Sequence, residues 1–176
     1  VPAQPRAHEA RFVDGAAGLQ YGTPEAVEAL RQQSARRDVD GAGGDVVLVS
    51  AVDPASPWGA HLPWPSRTVM PVLKGADAGP GPARATAALV VVDDGHLVGF
   101  VAAATRRVLS FLPQQEPERS ARARGLAQGL AQLGRRRRAE GRALVVGEVD
   151  GCVDGALAAH PLAAHLEQVG FVRSAG

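Results

Sequence analysis

With 176 residues, 45% hydrophobic and 21% charged, the chain can bury one sizeable core and is too short for several. It has nothing near the roughly 18 consecutive apolar residues of a membrane span, and its single cysteine, Cys152, excludes an internal disulfide framework and fits a reducing cytoplasm. A net charge of +1 excludes a uniformly basic polyanion-binding domain. The chain opens Val1-Pro2-Ala3, without an initiator Met or a leader pattern, and is expected to be a piece of something longer.

In chain order, Val1–Ala10 is Pro- and Ala-rich and is expected to be poorly ordered. Arg11-Phe12-Val13 and Leu19-Gln20-Tyr21 read as two extended pieces around the glycine-bearing Asp14–Gly18, a hairpin or wing. A helix starts at Thr23, with Pro24 in the first position, and offers Val27 and Leu30 as an apolar face through about Ala35. Residues 36–44 read as a linker, so the expected organisation is a 1–44 preamble and a 45–176 domain.

Val46–Val52 is a near-continuous apolar run, the pattern of a strand buried on both faces. Strands are expected at Thr68–Leu73, Ala87–Val92, Leu97–Ala102 and Arg107–Leu112, with Asp94-Gly95 as the tight turn of a hairpin. Lys74–Ala85 holds three glycines and two prolines and reads as a loop. Glu116–Glu140 is the longest helix, with Leu126, Leu130 and Leu133 on one stripe and Gly125, Gly129 and Gly134 weakening it. A strand at Leu144–Val149, a short helix at Pro161–Gln168 capped near His160, and a last strand at Phe171–Arg173 complete the chain. The fold class is α+β: a mostly antiparallel, barrel-like curved sheet with one long and one short flanking helix.

Charge is concentrated. Residues 105–142 carry ten arginines against three acids, and the rest holds nine basic and fifteen acidic residues. The phosphate-cradling GxxxxGK[ST] motif is absent, so no nucleotide or other cofactor is expected here. His160 and His165 are five apart, an awkward spacing for a shared metal on a helix, and no metal is expected. Asp53 ends the buried strand before Pro54 and is the candidate general base; the plainer reading is that it accepts backbone amides in its turn. Trp58 and Trp64 share one loop, placed either to stack on unpaired bases or to plug the sheet. Candidate contacts for a nucleic acid are Trp58, Trp64, Arg67, Arg106, Arg107, Arg135, Arg136, Arg137, Arg138 and Arg142. That reading requires the tryptophan loop and the arginine-rich helix to share one flank.

The ordered elements Phe12-Val13-Asp14-Gly15, Asp53-Pro54-Ala55-Ser56-Pro57-Trp58-Gly59 and Leu62-Pro63-Trp64-Pro65, with Val149-Asp150-Gly151 and Pro161-Leu162 through Gly170-Phe171, resemble the C-terminal end of the bacterial large helicase-related (Lhr) proteins. The resemblance implies a DNA repair helicase whose superfamily 2 motor, with its ATP and Mg, lies outside this chain. It also implies tandem winged-helix modules, residues 11–21 being the last wing, and then a barrel-like module. The implied partners are DNA, single-stranded or damaged duplex, the rest of the parent helicase and a further copy of the chain. The alternatives are part of a DNA glycosylase site built on Asp53, or a structural and oligomerisation module. Gly81-Pro82-Ala83-Arg84-Ala85 departs from the more basic segment of relatives.

Overall fold

The computed structural model describes residues 7–12, 17–40, 45–66, 80–102 and 106–173, residues 33–40 by backbone alone. The chain divides into two compact units, Val1–Gly43 and Gly44–Gly176. The expected strand at Thr68–Leu73, most of the Lys74–Ala85 loop, the Asp14–Ala16 turn and Arg67 lie outside the described residues.

In the first unit, β1 (His8–Ala10) pairs antiparallel with β2 (Gln20–Gly22). The first strand therefore lies earlier than the expected Arg11–Val13, within a stretch expected to be poorly ordered. Pairing ends at Ala10 opposite Gln20, and the Phe12 amide donates instead to Gln20 Oε1 at 2.9 Å. Helix α1 (Pro24–Asp40) starts as its sequence dictates, Thr23 Oγ1 accepting the Ala26 amide at 3.3 Å. It runs past the expected end because no glycine or proline intervenes before Gly41. Val27 is buried beside Phe12 and Gly22, whereas Leu30 is 46% exposed and does not share its face.

The second unit is a five-stranded sheet in the order β3 (Val46–Ser50), β4 (Ala88–Asp93), β5 (His96–Ala102), β6 (Arg107–Ser110) and β7 (Glu148–Val149). The first four strands form an antiparallel meander, and Asp94 and Gly95 both adopt positive φ, 49° and 75°, as a two-residue hairpin turn requires. β7 runs parallel to β6, the long α2 (Glu118–Ala139) serving as the crossover that a parallel pair needs. Among the described residues the sheet is open and no closed barrel forms: β3 and a two-residue β7 stand at its edges. Closure would need each edge to find a full-length partner. The expected strand at 144–149 shrinks to Glu148–Val149, and Phe171–Arg173 is not a strand.

Two apolar layers sandwich the sheet. On one face Val91, Val101 and Val108 meet Leu126, Leu130 and Leu133 of α2 and Leu162 and Leu166 of α4 (Pro161–Gln168). On the other, Val90, Leu97, Phe100 and Leu109 are covered by Ala51, Trp58 and Trp64. The helical glycines act as seats. A Cβ on Gly125 would stand 2.3 Å from Asp93 Oδ2, and one on Gly129 2.4 Å from Val91 Cγ1. What intrinsic helix propensity counts as weakness is what lets α2 lie low on β4. A short helix, α3 (Asp154–Ala158), precedes α4 and has no counterpart among the expected elements. No described helix is long and apolar enough to cross a membrane.

Candidate functional site

The loop after β3 is built by its own polar groups. Ser50 O accepts the Asp53 amide at 3.0 Å, and Asp53 O accepts the Ser56 amide at 2.9 Å. The Asp53 carboxylate, through Oδ1, takes the Ala55 amide at 2.8 Å, the arrangement that an Asp before proline adopts to hold a turn. Gly59 has φ 74°, and a Cβ there would lie 2.6 Å from Trp64 Nε1, so only glycine lets this indole pack. Trp64 meets Phe100 edge-on, ring centroids 5.6 Å apart and planes at 81°. Both indoles are half-buried against the sheet.

Arg84, noticed in the sequence only as a departure, staples this loop. Its Nη1 donates to Ser56 O at 2.9 Å and Trp58 O at 3.3 Å, and its Nη2 to Asp53 O at 3.5 Å. The adjacent Ser56 Oγ is buried and has no hydrogen-bond partner among the described residues.

The tryptophan loop and α2 lie on opposite faces of the sheet. The expectation that indoles and arginines share one flank is therefore corrected. Which face a loop crosses is decided by chain connections and not by its local sequence.

The arginines divide by partner. Arg107 is 8% exposed and donates from Nε to Glu148 Oε1 at 3.0 Å, so it locks β6 to β7 and is withdrawn from solvent. Its place among phosphate contacts is thereby corrected: a strand residue facing a neighbouring strand's carboxylate is an internal ion pair. Arg122 donates to Asp93 O at 3.2 Å and Oδ2 at 3.3 Å. Arg119 pairs with Glu116 at 2.8 Å. Arg106 is exposed at the turn before β6, with φ 57° and its carbonyl accepting the Gly147 amide at 2.8 Å.

At the far end of α2, Arg135, Arg136 and Arg138 are exposed and have no carboxylate partner among the described residues. Arg137 is half-buried, its carbonyl accepting the Glu140 amide at 3.0 Å and the Arg142 amide at 2.8 Å. Arg142 pairs with Glu140, whose carboxyl it holds below the usual range.

Arg135, Arg138 and Arg142 rim a cleft of about 650 Å³ whose apolar lining includes Leu144, Val169 and Phe171. These three side chains also pack on the helix-covered core, so the floor is anchored. Phe171 reaches it through the end of α4. Gly170, at φ 97°, donates its amide to Glu167 O at 3.0 Å and Phe171 its own to Leu166 O at 3.0 Å, the paired bonds of a glycine-terminated helix with an apolar residue just beyond. The Gly170-Phe171 pair was the signal for this turn.

The start of α4 is held as firmly. His160 Nδ1 accepts the Leu162 amide at 3.1 Å, which leaves Nε2 to donate to Asp150 Oδ2 at 3.2 Å. Asp150 also accepts the Ser110 amide at 2.9 Å and the Ser110 hydroxyl at 2.5 Å. Serine, histidine and aspartate meet here in the wrong order for nucleophilic catalysis: the carboxylate stands between the other two, so the imidazole is not placed to take the hydroxyl proton. The network fastens α4 to β6. Burial likewise pushes the Cys152 thiol up, keeping it protonated and unreactive. Among the described residues no group of His, Cys, Asp or Glu is arranged to hold a metal.

No family model matches the chain. It is 31% identical over 116 residues, 66% of its length, to a Mycolicibacterium smegmatis protein named Lhr helicase/probable uracil glycosylase. Over 106 residues, 60% of its length, it is 32% identical to the Lhr helicase/uracil glycosylase of Escherichia coli. The chain spans 7% and 6% of the lengths of these relatives.

Proposed function

We propose that this chain, similar over 60–66% of its length to Lhr proteins, is an accessory region of a DNA repair helicase that holds DNA phosphates with the arginine-bearing end of α2. One observation carries this reading: Arg135, Arg136 and Arg138 are exposed without a described carboxylate partner, Arg135 and Arg138 beside a cleft, whereas Arg107, Arg119 and Arg122 are engaged internally. Side chains that satisfy no internal acid are available to replace counterions on a polyanion. The motor, with ATP and Mg, belongs to the rest of the parent protein, and the β1–β2 ribbon with α1 is its connection to a preceding winged-helix module.

The test is fluorescence anisotropy of the 176-residue chain with labelled single-stranded and duplex DNA across a salt series. Three or four phosphate contacts give a slope of log K against log salt of about −3, and replacing Arg135, Arg136 and Arg138 by Gln brings it toward zero. Absence of binding at low salt, or an unchanged slope in the triple variant, rejects the reading. The glycosylase alternative rests on the relatives' names. Among the described residues the contact of the Asp53 carboxylate is the one holding its own turn, so we assign Asp53 to shaping the loop.

A further inference from the structure

We propose that the cleft at the end of α2 is a seat for an unpaired nucleobase, which makes the module a reader of single strands or strand ends rather than of intact duplex. This rests on the phosphate-binding reading above and adds a second kind of contact to it.

Three features carry the proposal. Arg135, Arg138 and Arg142 line a recess, so their charge is gathered beside a concave surface. The recess is open to solvent and, at about 650 Å³, has room for one base. Its lining joins those arginines to Leu144, Val169 and the aromatic Phe171, the last positioned by the two backbone bonds that close α4. Every base offers a flat π face to such a ring, so the contact tolerates any sequence.

The rim chemistry selects the rest of the ligand. Arg135 and Arg138 have no described acidic partner, and a guanidinium fork matches two phosphate oxygens at once. A single strand brings a base and its flanking phosphates to the cleft together. A duplex must first unstack and unpair that base. An acidic peptide would satisfy the rim but has no planar group obligatorily next to its charge.

The experiment compares three probes with the 176-residue chain at one low salt concentration: a thymidine homopolymer of about 12 nucleotides, an abasic strand of equal length, and a duplex. The homopolymer is expected to bind about tenfold more tightly than the abasic strand, the increment of one stacked base. Phe171→Leu abolishes that preference without changing the salt slope, and Phe171→Tyr retains it. A 2-aminopurine in the strand reports the same contact in the unsubstituted chain by quenching on binding, which keeps the test decisive if Phe171→Leu fails to fold.

Equal binding of abasic and thymidine strands, or an unquenched 2-aminopurine, overturns the base seat while leaving the phosphate reading intact. Polyglutamate competing as well as the oligonucleotide overturns it in favour of an acidic peptide. Loss of all salt-sensitive binding rejects the phosphate reading itself, and the base seat with it.

Discussion

The two ends of α2 carry the same residue type to opposite ends. Near its start, Arg119 turns back onto neighbouring Glu116, and Arg122 onto Asp93, which holds the helix to the hairpin beneath it. Near its finish, Arg135, Arg136 and Arg138 meet no described carboxylate and face solvent, Arg135 and Arg138 beside a recess. A tally of ten arginines over residues 105–142 treats these as one basic segment. The structure teaches that a guanidinium is available to a partner only after the local acids have taken theirs: at the far end the acid is Glu140, and Arg142 takes it.

That contrast can be broken most forcefully through the packing that holds α2 down. Gly129→Leu forces bulk where a Cβ alone would stand 2.4 Å from Val91, and we expect a loss of about 3 kcal/mol in urea unfolding. A near-neutral result would mean that the helix has no fixed seat. Next in size, Arg122→Ala leaves the Asp93 carboxylate, in a residue 7% exposed, without its ion pair. Because the arginine is itself partly solvated, the expected cost is about 2 kcal/mol, below the ~3–5 kcal/mol of fully buried pairs. Oligonucleotide affinity should stay unchanged, and a drop matching that of Arg138→Gln would erase the distinction between the two ends.

The converse variant, with Arg135, Arg136 and Arg138 all changed to Gln, should alter stability by no more than about 0.5 kcal/mol while weakening salt-sensitive binding. Thermal unfolding and anisotropy on the same sample decide it. The smallest effect belongs to Glu116. Hydrogen bonds from Ser120 and Arg119 hold its carboxyl below the usual range, so its stabilising contribution is present above the ordinary carboxylate pKa and disappears as pH falls through the depressed one. Glu116→Gln should flatten that part of the stability curve between neutral and acid pH, and an unaltered curve would assign the dependence elsewhere.

Much of the second unit was legible locally. Asp94-Gly95 names its own turn, Pro161 after His160 marks the start of α4, and the leucine stripe of α2 points to the sheet. What was not legible depends on partners distant in sequence. Leu144 and Phe171 have strand-like neighbours, yet they serve as the floor of a cleft because α2 passes over them. Arg107 looks as cationic as Arg106 until β7 returns with Glu148. Arg84 draws no attention until a loop 26 to 31 residues earlier offers it three carbonyls. The recess was invisible for the same reason: it is a shape made by two segments, not a motif in either.

The glycine seats on α2 also have a mechanical consequence. Gly129 acts as a fulcrum, and Arg138 lies nine residues further along, about 13 Å at 1.5 Å per residue. A rod pressed against the sheet at that pivot converts a slight rise at the strand into a larger swing at its tip. Bulk introduced at Gly129 itself would therefore be felt as a retuned grip at the cationic end, where no atom had been altered.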